Sequence, residues 1–276
     1  MNTKLKMRIA HIIGIILCVF VSITIILPIL WLLVSSFKND REIIQYPPIF
    51  FPHHWTLQQY LNVGSSVPVL SFAKNTFIFA SSVTVLALLF DSMAGYAFAR
   101  MTFKGKELYF NIILVTMMVP FQIVMTPLYI EIFKLKMLNT YLGLILPRAA
   151  DAFGIYMMRS YFVGLPSSLE ESARIDGCGE FRIFWFIMMP LCKPALMALG
   201  IFIFMNNWND LLYPLMLTSS INMSTLASGL ATLVGNKVIK YGPTLSATMI
   251  SILPILILYI CTQKYFTAGI ATTGEK

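Results

Sequence analysis

Four charged residues lie within stretches of sequence that are otherwise apolar: Asp91, Arg148, Asp151 and Asp210. A charge at the centre of a membrane helix costs about 2.5–3.5 kcal/mol, so such residues usually pair with one another or line a polar path. Arg148 and Asp151 are three residues apart, which places them on one face of a continuous helix. We therefore predict a structural ion pair between them.

A second polar group follows a long apolar run and consists of five consecutive residues: Asn206, Asn207, Trp208, Asn209 and Asp210. Amides and a carboxylate beside an aromatic ring suit the hydroxyl groups of a sugar. The same groups equally suit hydrogen bonds between membrane helices. The residue types alone leave both interpretations open.

The longest polar interruption of the sequence runs from Gly164 to Lys193. The S-x-x-E pattern, which caps the start of a helix, occurs there twice, at Ser167–Glu170 and Ser168–Glu171. Gly177 readily takes the left-handed conformation in which helices end. The pattern predicts a helix of about two turns, followed by a second short amphipathic helix. Such a pair is also typical of a segment that merely lies in the membrane interface.

The composition indicates an integral membrane protein. Of the 276 residues, 58% are hydrophobic and only 12% are charged, and the mean hydropathy is +0.77. A soluble domain has about a quarter of its residues charged, so soluble enzymes, secreted disulfide-bonded proteins and disordered chains are excluded. The net charge of +8 fits cytoplasmic loops rich in Lys and Arg better than a nucleic-acid-binding surface.

Six apolar windows are long enough to cross a bilayer as helices, so the predicted fold is all-α. They are 12–34, 76–98, 110–130, 142–161, 195–217 and 245–262. Proline residues within these windows are either tolerated, as is common in membrane helices, or they interrupt the third at Pro120 and Pro127 where it lines a pathway. With the N-terminus inside, twelve Lys and Arg residues fall on the inner side and seven on the outer side, which favours two cytoplasmic termini.

The predicted organisation has five parts. They are a cytoplasmic tail at 1–11, a first transmembrane helix at 12–34, an external loop at 35–71, a five-helix core at 72–264 and a cytoplasmic tail at 265–276.

The sequence lacks the motifs of several catalytic sites. It contains no G-x-x-x-x-G-K-[ST], no G-x-S-x-G and no H-E-x-x-H pattern. The four cysteines and three histidines lack the spacing of a metal site, and the 17 methionines are interpreted as apolar filling. We therefore expect no catalytic residue, no metal site and no cofactor bound by this chain.

The polar segment resembles a known family. Glu171-Ser172-Ala173, then Asp176-Gly177, and then Ile187 and Pro190-Leu191 are similar to the E-A-A…G…I-x-L-P motif of permeases in binding-protein-dependent ABC importers. Ser172, Cys178 and Met189 depart from the usual residues, but each is a small or apolar exchange.

The resemblance extends from about residue 70 to the C-terminus and points to the carbohydrate branch, in its maltose-type inner subunit. It is carried by the stretches 94–100 (AGYAFAR), 142–147 (LGLILP), 173–177 (ARIDG), 208–214 (WNDLLYP) and 263–266 (QKYF).

The resemblance implies a permease subunit that couples to a separate ATPase through the polar segment, as a coupling helix. The residues implied to couple are Glu170, Glu171, Ala173, Arg174, Asp176 and Gly177. The implied partners are a second homologous permease, two ATP-binding subunits that use ATP and Mg, an extracytoplasmic sugar-binding protein and the lipid bilayer, with no nucleic acid. Asn206 to Asp210 become candidates for the translocation pathway, and the segment 219–241 is expected to touch the binding protein.

Two alternatives remain at this stage. An ion-coupled secondary transporter would need a complete pathway without an ATPase. An ABC permease for another solute, such as a polyol phosphate, would share the coupling segment but differ in its cargo.

Overall fold

The computed structural model describes residues 3–234 and 241–271, which are largely helical and contain no β-strand. The all-α prediction is confirmed. The helices are α1 (Thr3–Ser35), α2 (Asp40–Ile43), α3 (Gln58–Ser66), α4 (Val69–Arg100), α5 (Lys106–Thr116), α6 (Phe121–Lys134), α7 (Tyr141–Ile145), α8 (Ala152–Gly164), α9 (Ser168–Ile175), α10 (Glu180–Ile183), α11 (Met189–Leu191), α12 (Lys193–Trp208), α13 (Leu212–Leu217), α14 (Leu226–Val234) and α15 (Tyr241–Ala271). A π-helical turn spans Phe184–Met188, and 3₁₀ turns span Leu146–Arg148 and Ile221–Met223.

Three helices are long and apolar enough to cross a bilayer on their own: α1 over His11–Ser35, α4, and α15 over Tyr241–Ile260. Two bent pairs also qualify if each is one span. They are α5 with α6, bent by 100°, and Glu180–Leu191 with α12, bent by 78°. The described residues thus contain between three and five spans by length and composition, and the number six stays a prediction.

Prolines explain two of the interruptions. Pro147 lies in the 3₁₀ turn between α7 and α8, and Pro120 stands at the N-cap of α6, immediately after the bend. Proline has no N–H to donate and its ring clashes with the preceding turn, so it often ends or kinks a helix. Pro127, in contrast, lies inside α6, so the helix tolerates proline at that position and is not interrupted there.

The chain divides into two compact units. In the first, residues 1–69 and 230–253, the buried Lys38 ties the loop after α1 to the end of that helix. Its Nζ donates to the carbonyl of Ile49 at 2.6 Å and lies 4.2 Å from the centre of the Trp31 ring. Burial lowers the pKa of Lys38, and the nearby Glu42 carboxylate opposes this shift. The loop expected to be external is therefore folded.

The second unit, residues 70–229 and 254–276, is organised around α4. Its buried face includes Phe79, Val83 and Ala87, each four residues after the last, as expected for one side of a helix. Asp91 continues that face and is fully buried, and its Oδ1 accepts from the N–H of Asp151 at 2.9 Å. Its other oxygen lies against Gly154, in the first turn of α8.

We predict that Gly154→Ala destabilises the protein by about 1–3 kcal/mol, as other overpacked sites do. A β-carbon at position 154 would stand 2.0 Å from Oδ2 of Asp91, closer than any non-bonded contact. Gly164 is the matched control because it belongs to the same helix, and a β-carbon at that position would meet no atom within 4 Å. Thermal unfolding in detergent should show a lower midpoint for Gly154→Ala than for Gly164→Ala. Equal midpoints would contradict this packing of Asp91 on α8.

Candidate functional site

A charged contact joins two places where helices are interrupted. Arg148 ends the 3₁₀ turn after α7, and Asp210 lies in the gap between α12 and α13. Arg148 Nη2 is 2.5 Å from Asp210 Oδ2, and Arg148 Nη1 donates to Asn207 Oδ1 at 2.9 Å. Both charged side chains are mostly buried, so the charge of each is balanced mainly by the other rather than by water.

The predicted pair of Arg148 with Asp151 is wrong. Asp151 is instead the N-cap of α8, and its Oδ2 accepts from the N–H groups of Phe153 at 3.1 Å and Gly154 at 3.4 Å. The spacing argument assumed a continuous helix, whereas the helix is broken between the two residues. Arg148 is therefore free to reach Asp210.

Aromatic rings complete the surroundings of Arg148. Its guanidinium carbon lies 4.1 Å from the centre of the Tyr213 ring and 5.7 Å from that of Phe121. Such cation–π contacts contribute about 0.5–2 kcal/mol, more when they are shielded from water. Tyr213 is itself fixed, because its hydroxyl donates to the carbonyl of Gly143 at 3.0 Å. The guanidinium is thus held in one position.

A cavity of about 320 Å³ opens beside this contact. Its polar lining comes from Arg148, Asp151, Asn206 and Asn207, and its apolar lining from Val83, Ala87, Phe121, Pro147, Ala150, Phe202 and Ile203. Within the described residues, the exposed Asn206 amide makes no hydrogen bond to the chain. Asn206 therefore offers a free donor and a free acceptor to a solute.

The cavity separates the five residues of the predicted polar cluster. Asn206 and Asn207 line it, whereas Asp210 does not line it and instead pairs with Arg148. Trp208 is buried and stacks on Phe204 at 5.5 Å, so it does not offer a ring to a solute. The Asn209 amide donates to the carbonyl of Met205 at 3.0 Å. The expectation of an aromatic ring beside the amides at Trp208 is wrong.

The aromatic surface comes from residues that the sequence analysis missed, Phe121 and Phe202. Phe202 precedes Asn206 by four residues and so shares its face of α12. That spacing was visible in the sequence, whereas the approach of Phe121 from a distant segment was not.

The predicted short helix in the polar segment exists as α9, and its end follows the expected glycine chemistry. Gly177 has φ +81°. Its N–H donates to the carbonyl of Arg174 at 3.0 Å, and the N–H of Cys178 donates to that of Ala173 at 2.9 Å. These two bonds form a Schellman motif, which satisfies the last carbonyls of the helix.

The start of α9 differs from the prediction. Its N-cap residue, Ser167, makes no side-chain capping bond. Glu170 does not reach back to the N-terminus; it turns inward, is 3% exposed, and lies 3.4 Å from Arg100 and 3.9 Å from Arg174. Burial raises the pKa of Glu170, and the two arginines oppose that shift.

The candidate coupling residues consequently point in two directions. Glu170 and Ala173, three residues apart, share the buried face of α9, and Ala173 belongs to the hydrophobic core. The expectation that both face a partner is wrong. The exposed members of the set are Glu171, Arg174, Asp176 and Gly177. Arg174 Nε donates to Glu180 Oε1 at 2.8 Å, and this bond raises the pKa of Arg174.

We predict that Asp210→Ala lowers the free energy of unfolding by roughly 3 kcal/mol, because it leaves the guanidinium of Arg148 buried without its counter-charge. Replacing both residues, as Arg148→Met with Asp210→Leu, should recover most of that loss. The matched control is Glu131→Ala, which breaks the exposed pair of Glu131 with Lys134 and should cost about 1 kcal/mol or less. Unfolding in detergent measures all three, and equal losses for Asp210→Ala and Glu131→Ala would refute the role of the buried contact.

Comparison with known proteins places the chain in a family. The family model described as binding-protein-dependent transport system inner membrane component matches residues 91–270. The arabinooligosaccharides transport system permease protein AraQ of Halalkalibacterium halodurans is 37% identical over 260 residues, with 93% of each chain covered. The diacetylchitobiose uptake system permease protein NgcG of Streptomyces coelicolor is 32% identical, with 91% of this chain and 84% of that protein covered.

A solved structure shares the fold as well. It is the crystal structure of a bacterial ABC transporter involved in the import of the acidic polysaccharide alginate, one chain of which matches with a TM-score of 0.83 and 25% identity. The match covers 94% of this chain and 97% of that one. The resemblance to ABC importer permeases is thus confirmed. The chain belongs to the family of inner membrane components of binding-protein-dependent transport systems, as a plasma-membrane transport subunit that works with other transporter subunits and a binding protein.

Proposed function

We propose that this chain is the permease subunit of an ATP-driven ABC importer for a sugar or oligosaccharide. It forms one half of the translocation pathway, and a second homologous permease forms the other half. The observation that carries the proposal is the cavity beside Arg148, in a chain whose family membership is shown. The arabinooligosaccharide and diacetylchitobiose permeases among its relatives favour a carbohydrate over a polyol phosphate.

The cavity suits a carbohydrate for chemical reasons. The free amide of Asn206 donates and accepts hydrogen bonds, as sugar hydroxyls do. Phe121 and Phe202 offer apolar surfaces to the C–H face of a sugar ring. A volume of about 320 Å³ lies at the lower end of ligand sites, which are about 300–1,000 Å³. The cavity is therefore large enough to hold a sugar unit.

The energy source lies outside this chain. Two ATP-binding subunits bind ATP and Mg, and one of them docks on the exposed side of α9, where Glu171, Arg174 and Asp176 present charge. This chain binds no cofactor or metal and performs no catalysis. Coupling through α9 distinguishes the proposal from an ion-driven carrier, which would transport without nucleotide.

An external sugar-binding protein delivers the cargo. The segment after α13 packs on α4, because the N–H of Leu226 donates to Thr76 Oγ1 at 2.7 Å and Gly229 packs on Phe72. Ile221 and Asn222 remain exposed in the 3₁₀ turn. With the exposed Ser219 and Ser220, they form a surface that can meet the binding protein. Residues 235–240 of the predicted contact lie outside the described residues.

We expect Asn206→Ala to reduce uptake by the complete transporter by about two- to tenfold, because one hydrogen bond contributes about 0.5–1.5 kcal/mol. The matched control is Asn209→Ala, since that exposed amide is bonded to Met205 and does not line the cavity. Uptake is measured in proteoliposomes with labelled arabinotriose, diacetylchitobiose and glycerol phosphate, with and without ATP. Uptake of glycerol phosphate alone would reassign the cargo, and uptake without ATP or ATPase would reject the importer.

The proposal also requires both termini and α9 to lie in the cytoplasm. Cysteines are placed at the exposed positions His54 and Ser168, in a protein whose four native cysteines are replaced. An impermeant maleimide applied to intact cells should label position 54, because the loop after α1 is external. Position 168 should react only after the membrane is permeabilised. Labelling of position 168 from outside would reject docking of an ATPase on α9.

A further inference from the structure

The last turn of α4 is tied to two following helices through one arginine. Arg100, the final residue of α4, has a side chain only 12% exposed, and its Nε lies 3.4 Å from Oε1 of Glu170 on α9. Its Nη2 donates to the carbonyl of Leu165, which caps the C-terminus of α8, at 2.5 Å. Arg100 thus contacts the segment on both sides of the turn between α8 and α9.

Further contacts return from α9 to α4. Glu170 Oε2 lies 3.9 Å from Arg174, and Arg174 Nε donates to Glu180 Oε1 at 2.8 Å. The hydroxyl of Tyr96 donates to Glu180 Oε2 at 3.0 Å. Tyr96 and Arg100 are four residues apart on α4, as Glu170 and Arg174 are on α9, so each pair shares a helix face. We call these five residues the polar ring.

The buried side of the polar ring is poorly explained by stability alone. Arg100 Nε and Glu170 Oε1 are both shielded from solvent, and they lie 3.4 Å apart without forming a hydrogen bond. Apolar residues of the same volume are often as stabilising as a buried ion pair, or more so. What the charges add is geometry, because the ion pair and the hydrogen bond from Arg100 to Leu165 together fix the distance from α4 to α9 and to the end of α8.

The helix that carries the ring also lines the cavity. Ala87 and Val83 of α4 belong to the cavity wall. Ala87 precedes Arg100 by 13 residues, which is about 20 Å along a helix at 1.5 Å per residue. A displacement of the last turn of α4 is therefore carried to the cavity wall by one continuous helix.

We propose that the polar ring makes α9 and α4 move as one body, so that Arg100 and Glu170 are positioning residues that transmit the motion of the ATPase to the sugar cavity. This inference rests on the proposed function of α9 as the helix on which the ATPase docks. It assigns the exposed and the buried carboxylates of α9 different tasks. Glu171 faces the partner, whereas Glu170 holds α9 to the pathway helix.

The test uses the complete transporter in proteoliposomes and a reporter that needs no sugar. Asn206→Cys places a thiol in the cavity, in a background without the four native cysteines. The rate of its reaction with a water-soluble maleimide is measured with and without MgATP, together with ATP hydrolysis. With the ring intact, we expect MgATP to change the labelling rate by about fivefold or more.

Glu170→Gln keeps the volume of the side chain and removes its charge. We expect ATP hydrolysis to persist in this variant while the labelling response falls below about twofold. Arg100→Gln should behave alike, and Glu170→Asp should retain part of the response because it keeps the charge. The control is Glu131→Gln, the same chemical change at an exposed pair outside the ring, and it should keep the full response.

Each other outcome counts against the inference in a recognisable way. A full response in Glu170→Gln would overturn the inference alone. Loss of subunit assembly in both Glu170→Gln and Glu170→Asp would assign the ring to folding and also overturn it. A missing response in the protein with an intact ring would overturn the proposed function, and this inference with it.

Discussion

The contact between Arg148 and Asp210 is the interaction on which the site depends, because it joins two interruptions of helical structure. A broken helix within a membrane leaves N–H and C=O groups that lipid cannot satisfy. Here the gap after α12 is stabilised by Asp210, which pairs with Arg148 and also accepts from the N–H of Tyr213 at 3.2 Å. The same contact holds the break after α7 next to the break after α12, and both border one cavity.

Several other polar groups at these interruptions are satisfied by side chains of the same unit. Asp151 caps α8, its own N–H donates to Asp91, and the Tyr213 hydroxyl binds the carbonyl of Gly143. These residues are occupied by the structure itself. Asn206 differs from these residues because its side-chain amide makes no hydrogen bond within the described chain. In the proposed pathway a solute would therefore meet few free polar groups, which suits the release of cargo as well as its binding.

Composition and local patterns predicted the all-α membrane fold, the existence of α9 and the glycine that ends it, since each depends on short-range chemistry. The pairing of Arg148 and the direction of Glu170 were not predictable in this way. Their partners, Asp210 and Arg100, lie far away in the sequence, and they become available only because a helix breaks or turns. Spacing rules assume a continuous helix, so they fail where Pro147 interrupts one.

The two errors share a cause that bears on mechanism. In the first, Arg148 pairs with the distant Asp210, while Asp151 binds Asp91 of α4 through its N–H. In the second, Glu170 contacts the distant Arg100, which is also on α4. Asp91 accepts from the N–H of Asp151 at the start of α8. Arg100 donates to the carbonyl of Leu165 at the end of α8 and pairs with Glu170 of α9. Between them, Tyr96 of α4 lies in the hydrophobic core and Ala99 packs against it. Under the proposed coupling, we therefore expect a substitution on this face to act on the cavity and on α9 together, whereas one at the exposed Val85 should act on neither.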